Sequence, residues 1–167
     1  MRTVSCAALL ALMLVNASPS VAQAVLPERG GAAALRENVF GLGLAAGSVS
    51  GIGVSFRHHL PSVFSYQITG GIVKPGDRLY YTIGAEVQFD LVRSVASRFY
   101  VAGGGGYYYS GSTGHNELEG PGRVGVGLGG EIAIGGGFHA SGELIFSYFT
   151  DGSVLPLPQV GIHYYFY

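Results

Sequence analysis

The chain is short of charge, of lysine and of cysteine, and each shortage excludes something. Charged residues make up 11% of it, less than half of the ~25% usual in soluble domains. Nine basic residues against ten acidic ones give a formal net charge of −1, with no basic footprint, so nucleic acid is not an expected partner. Lysine occurs once, at Lys74. The single cysteine, Cys6, falls in a segment read below as removed on export, which leaves the mature chain without disulfides or thiolate metal ligands. Beyond that segment no apolar run approaches the roughly 20 residues of a membrane-spanning helix. Yet the mean hydropathy is +0.36. A chain that is apolar without such a helix must hold its apolar surface in a pattern.

The first residues read as a signal peptide (residues 1–24). Arg2 is the positive start, Val4 to Val15 is an apolar stretch too short to span a bilayer as a helix, and Ala17-Ser18-Pro19-Ser20 breaks it. Cleavage is expected after Ala22 or Ala24. A lipoprotein acceptor cysteine follows the apolar stretch, whereas Cys6 opens it, so lipidation is not expected. Residues 25–37, with Pro27, Gly30 and Gly31, read as a tail ahead of the domain.

From residue 38 the pattern has period two. Between Arg78 and Leu91 the residues Leu79, Tyr81, Ile83, Ala85, Val87, Phe89 and Leu91 fall on one face, and Arg78, Tyr80, Thr82, Gly84, Glu86, Gln88 and Asp90 on the other. Alternation of that length predicts a strand with one apolar and one polar side. The same rhythm recurs around Phe40–Ala46, Ile52–Phe56, Phe64–Ile72, Val124–Ile134, Phe138–Tyr148 and Val160–Phe166. The segment from Arg98 to Ser110 completes eight strands, although Gly103 to Gly106 leave its facing open. Each is expected to have about the 9–11 residues of a tilted membrane-crossing strand. Turns are expected at Gly47-Ser48, Pro61-Ser62, Pro75-Gly76-Asp77, Ser94 to Ser97, Gly111 to Pro121, Gly135 to Gly137 and Asp151-Gly152.

Alternation alone does not separate a soluble barrel from a membrane barrel. The composition of the polar faces does: Gly, Ser, Thr, Tyr and Gln dominate, too bland for a solvated exterior and suited to a narrow interior. Closure removes unpaired edges, which lipid cannot satisfy. Aromatics gather near strand ends (Phe99, Tyr100, Tyr107 to Tyr109, Tyr148, Phe149, Tyr164 to Tyr167), as interfacial girdles require. The expectation is therefore an all-β, eight-stranded antiparallel up-and-down transmembrane β-barrel over residues 38–167. It would be monomeric, would lie in the outer membrane, and would have both termini on the periplasmic side.

The strand Gln159-Val160-Gly161-Ile162-His163-Tyr164-Tyr165-Phe166-Tyr167 carries a more specific likeness. Gln159, Gly161, Tyr164 and Phe166 match, in register, the C-terminal assembly signal of Gram-negative outer-membrane barrels (polar, any, Gly, any, any, hydrophobic, any, aromatic). Tyr167 stands one residue past the usual final aromatic. The chain resembles the small eight-stranded outer-membrane proteins, including the X and W types and the transmembrane part of protein A. The resemblance implies contact with outer-membrane lipid and recognition by the barrel-assembly machinery, and it identifies no subfamily.

An eight-stranded barrel is filled by side chains, so no open pore is expected. The polar faces would place Arg57, Arg78, Arg98 and Arg123 inside with Glu86, Asp90, Glu131 and Glu143, both signs pairing because an isolated buried charge is costly. His139, Ser141 and Glu143 alternate on one strand and are the residue types of an acyl-transfer triad. His139 and Ser141 resemble the His-x-Ser pair of outer-membrane lipid A deacylases, which would make the chain a lipid acyl hydrolase. Gly142 stands where those enzymes have asparagine, and same-face neighbours on a strand lie about 7 Å apart. Interior packing is the preferred reading of the three, and the chain is read as no enzyme. His59, His139 and His163 are each expected inward near the periplasmic mouth, and imidazoles suit Zn, Cu or Ni; no ligand spacing supports a metal, and no cofactor is expected. A narrow channel or small-molecule transporter is the remaining alternative. Gly125, Gly127 and Gly130 fit G-x-G-x-x-G only formally, since no helix follows. Glycines on the inner face are expected to make room for Tyr and Arg side chains from opposite strands.

Overall fold

The computed structural model describes residues 38–94, 96–112 and 114–166. The expected signal peptide, the tail up to residue 37 and Tyr167 lie outside them. Eight strands follow one another: β1 (Val39–Ala46), β2 (Ile52–His59), β3 (Phe64–Val73), β4 (Leu79–Arg93), β5 (Ser97–Gly111), β6 (Gly122–Gly135), β7 (Phe138–Phe149) and β8 (Val154–Phe166). Each pairs antiparallel with the next, and β8 pairs with β1, so the sheet closes into a barrel with no edge along most of its height. Following paired residues from Phe40 through His58, Tyr66, Val87, Gly103, Val126 and Phe146 leads to Pro156, ten residues before Phe166, the β8 partner of Phe40. That stagger of ten goes with strands tilted by about 35–45°.

The facing follows the alternation. Ile83, Val87 and Phe89 of β4 are exposed, while Glu86, Gln88 and Asp90 between them are buried. The open case, β5, resolves with Arg98, Tyr100, Ala102 and Tyr108 inward. The burial is the inverse of a soluble domain: Arg57 is 1% exposed and Ile72 72%. Outward aromatics form two levels. Phe40 stacks on His58 (4.3 Å between centroids), and Phe64–Phe89 and Phe138–Tyr164 contact edge-on at the lower end, where the chain enters β1. Tyr81 stacks on Tyr109 (4.8 Å) at the other end. Phe89 and Tyr81 are eight residues apart on one tilted strand, which separates the levels by roughly 20 Å along the axis. An outer-membrane barrel's apolar band is about 25 Å tall.

Strict alternation fails at one place that matters. The β4–β5 register shifts between Asp90 and Val92, so Leu91 and Val92 both face outward and Arg93 returns to the inner side. The extra residue of the bulge flips the parity, and Arg93 Nε reaches Asp90 Oδ2 at 2.7 Å.

The strands also differ in length more than expected. β1 and β2 have eight residues each, whereas β4 and β5 have fifteen. The missing wall is replaced by a loop that turns inward. Residues 47–51 close on themselves through Gly47 N–H to Gly51 C=O (2.9 Å), and Val49 at the tip is fully buried. Gly51 (φ 96°) and Gly53 (φ 139°) return the chain to β2 through backbone conformations that residues with a Cβ rarely adopt. Opposite the loop, β4, β5 and β6 present glycines. A Cβ on Gly84 would lie 2.4 Å from Val49 O, one on Gly106 2.6 Å from the same oxygen, and one on Gly125 3.1 Å from Val49 Cγ1. Gly41 and Gly129 do what the sequence suggested and make room for the rings of Tyr165 and Tyr100. The others make room for the plug.

β8 begins at Val154, five residues before the Gln159 start read from alternation, because Pro156 and Pro158 mimic a loop. They sit opposite Phe146 and Leu144 of β7. Ile162 turns its carbonyl toward β1, where it would meet a Cβ on Gly43, and by period two Pro158 and Pro156 turn the same way. β1 has already ended there: its uppermost pair is Ala46–Val160. The prolines therefore remove the two N–H donors that would lie unpaired on this stretch of edge. Across the gap, β3 runs three residues past its last pair with β2, Gly70–Val54, and the Thr82 hydroxyl binds both Ile52 N–H (2.9 Å) and Ile52 C=O (2.8 Å). The upper wall thus has a notch between β8 and β3.

The turn between β7 and β8 is fixed by Asp151, whose carboxylate accepts from Ser153 N–H (2.8 Å) and Oγ–H (2.7 Å). Those bonds hold the Asp151 carboxyl below its ordinary pKa. In an NMR pH titration Asp151 is expected to be protonated at lower pH than a free aspartate, and Ser153→Ala should raise its midpoint. A midpoint that ignores Ser153→Ala would contradict the turn geometry.

Candidate functional site: the closed lumen

The inner faces of β2 to β8 converge on one polar network, while β1 turns only Val39, Gly41, Gly43 and Ala45 inward. At its lower end Asp90 is held by Arg93 and by Arg98 (Nη1–Oδ1 2.9 Å). Arg98 also reaches Glu131 (Nη2–Oε2 2.8 Å), which takes Arg57 from the far wall (Nη1–Oε2 2.6 Å). Arg57 continues to Gln67 (Nε–Oε1 2.8 Å), Ser141 Oγ (3.3 Å) and Glu143 (Nη2–Oε1 3.7 Å). Higher up, Glu86 and Glu143 are bridged by two side-chain amides. Gln159 Nε2 donates to both (2.9 and 2.7 Å), and Gln88 Nε2 does so at 2.7 and 3.3 Å. Tyr100 O–H donates to Glu143 at 2.6 Å.

The same Gln159 holds the plug, its Oε1 accepting from Val49 N–H (2.9 Å) and Ser50 N–H (3.2 Å). Ser48 Oγ meets Ser147 Oγ at 2.5 Å, and the Tyr108 hydroxyl donates to Gly47 C=O. One chain of contacts therefore runs from the lower rim to the loop that closes the top.

Arg57, Glu86, Asp90, Arg98, Glu131 and Glu143 all lie where alternation puts them. Arg78 does not. It precedes β4, lies half-exposed at the upper rim and pairs with Glu117 of the β5–β6 loop, because β4 begins only at Leu79. Arg123 is on the inner face but above the network: its guanidinium carbon lies 3.8 Å from the Tyr108 ring centroid and 4.8 Å from that of Phe149.

The triad candidates share one strand and do not form a relay. His139 Nδ1 is 2.9 Å from Glu131 Oε1, Ser141 Oγ takes Arg57, and Glu143 binds Tyr100 and the two glutamines. The three histidines gather around the Tyr165 ring, at 5.0 Å (His59), 4.6 Å (His139) and 6.4 Å (His163). His59 uses Nδ1 on Ser65 Oγ and Nε2 on the Tyr165 hydroxyl, each at 2.8 Å, and His163 Nε2 is 2.9 Å from Ser55 Oγ. Among the described residues no three His, Cys, Asp or Glu side chains are grouped as a metal site. Of the residues expected to form an assembly signal, Gln159 points inward and Tyr164 and Phe166 outward.

Sequence reasoning missed Arg93, the bridging role of Gln88 and Gln159, and the plug. The glutamines stand on the polar face of the alternation and were visible as such. The plug had no signal beyond its flanking glycines.

Fold and lumen together define a closed eight-stranded antiparallel barrel with a packed, charged interior and an apolar outside. No family model and no curated protein matches the chain. Among solved structures it is similar to the Yersinia pestis outer membrane protein Ail, whose backbone was determined in a phospholipid bilayer nanodisc. The match has 15% sequence identity and a TM-score of 0.43, and covers 77% of this chain and 97% of that one.

Proposed function

We propose that the protein is a non-enzymatic outer-membrane barrel that contributes to the cell envelope structurally or by binding through its upper loops. One observation carries the reading, the inverted burial: Leu44 is 66% exposed and Val54 65%, while the Arg57, Arg98 and Glu131 side chains are at most 2% exposed. In water an outside of that kind is an association hazard, and in lipid it is the required surface. The lower aromatic level then faces the periplasm and the plug lies on the outer-leaflet side. The strand carrying Gln159, Gly161, Tyr164 and Phe166 is the segment offered to the assembly machinery. The closed barrel functions as a monomer in contact with outer-membrane lipid.

The test is the gel mobility of the outer-membrane fraction from cells expressing the full chain. A shift between unboiled and boiled samples is expected in that fraction, and planar bilayers containing the folded protein should stay electrically silent. A soluble periplasmic protein without a shift would overturn the reading. Ser141→Ala should leave the lipid A profile of the cells unchanged.

A further inference from the structure

Above the plug the inner faces carry side chains unlike those of the lumen below, and several of them are exposed: Leu155 is exposed, and Leu157 and Arg123 partly so. On the notch side Leu155 and Leu157 occupy the inner face of β8, opposite Ser147 and Ile145, where the strand elsewhere carries Gln159 and His163. On the far wall stands Arg123, partly exposed. Of the five arginines among the described residues, Arg57, Arg78, Arg93 and Arg98 each pair with a carboxylate, and Arg123 does not. Its contacts include the Tyr108 and Phe149 rings, a side-chain hydrogen bond with Tyr108 and a weak 3.5 Å approach of Nε to Gly120 C=O. A guanidinium held between two rings, with no carboxylate on it, has N–H groups suited to a planar or tetrahedral anion. Outside the barrel, an apolar groove of about 490 Å³ follows the β1–β8 seam and ends at Ala46 and Val160, the foot of the notch. That is within the ~300–1,000 Å³ range of small-molecule sites.

We propose that this vestibule binds one phosphorylated lipid of the surrounding leaflet. Its phosphate sits on Arg123, and an acyl chain leaves over Leu155 and Leu157 through the notch into the seam groove. The proposal rests on the membrane reading above. Charge and continuity specify the occupant: Arg123, without a carboxylate partner among the described residues, pairs with Phe149 of β7 at the height where β7 and β8 carry Tyr148 and Val154, next to Leu155. Tyr108 joins the lipid site to the plug, because its ring stacks on Arg123 while its hydroxyl holds Gly47.

The experiment uses the full exported chain, purified from membranes in detergent and checked for the heat-dependent mobility shift. Absence of the shift would refute the membrane reading itself. The folded protein is titrated with dioleoyl phosphatidic acid or with dioleoylglycerol, which has the same chains and no phosphate, and retained lipid is counted by native mass spectrometry. The wild type should retain one phosphatidic acid with a preference of about tenfold or more over the diglyceride, the scale of a charge-assisted hydrogen bond. Arg123→Gln should abolish that preference, and Arg78→Gln, at the exposed rim, should keep it. Leu157→Asn, which leaves the cation in place, should weaken retention of both lipids. Millimolar inorganic phosphate should not displace the lipid. Equal retention by Arg123→Gln and wild type, an equal loss in Arg78→Gln, or full displacement by inorganic phosphate would each overturn the proposal. If Arg123→Gln shows no mobility shift, the Leu157→Asn titration decides in its place.

Discussion

Glu131→Ala is expected to lower the unfolding free energy of the barrel by about 3–5 kcal/mol, the scale measured when one partner of a buried ion pair is removed. Glu131 Oε2 receives Arg57 at 2.6 Å and Arg98 at 2.8 Å, and its other oxygen lies 2.9 Å from His139 Nδ1. Its deletion strips both inner guanidiniums of a carboxylate at once. Asp90 remains for Arg98, but Arg57 retains only Glu143 at 3.7 Å. The loss is read as the urea midpoint of the mobility-shifted band in lipid. Glu117→Ala breaks the half-exposed pair with Arg78, and its midpoint should not move measurably. If Glu131→Ala and Glu117→Ala shift the midpoint equally, the interior network is not what stabilises the barrel.

Gly84→Val is expected to expel the plug. A Cβ at that position would lie 2.4 Å from Val49 O and 2.5 Å from Ser50 C, both backbone atoms that cannot rotate away. The readout is a cysteine at position 49, which would be the only thiol in the mature chain if Cys6 leaves with the signal peptide. Val49→Cys alone should resist a water-soluble maleimide, since the residue is fully buried. Combined with Gly84→Val it should react at least about tenfold faster, as expected for a side chain moved from a closed interior to solvent. Gly142→Val is the control, because a Cβ there meets nothing within 4 Å. Equal labelling of the two glycine variants would mean that the loop is not seated by its glycine bed.

Most of the wall was legible in the sequence because period-two alternation is a local property and each strand declares its own faces. The Ile83–Val87–Phe89 side and the Glu86–Gln88–Asp90 side of β4 came directly from it. What failed depended on non-local geometry or on residues whose local preferences run against their setting. Arg93 was missed because a one-residue bulge brings it inward, Arg78 was misplaced by the exact start of β4, and residues 154–158 were left out of β8 because of two prolines acceptable only where a neighbouring strand is missing. The inner row of His139, Ser141 and Glu143 was correctly placed, but its partners were not legible. Arg57 and Glu131 come from strands β2 and β6, and no pattern within β7 announces them. The inward loop was illegible for the same reason: Gly84, Gly106 and Gly125 have meaning only once three strands stand side by side.

The unequal strands have one further consequence. The seam that closes the barrel, β1 on β8, has seven register pairs, against fourteen between β4 and β5. Closing it brings the first and last strands together at the greatest loop-entropy cost, for half the register pairs of the longest joint. Gln159 sits beside that seam and takes two N–H groups of the plug. Seating the loop therefore adds two hydrogen bonds beside the closing joint. A molecule whose plug is out loses those bonds next to a joint of only seven pairs, so the inward loop acts as a latch on the seam.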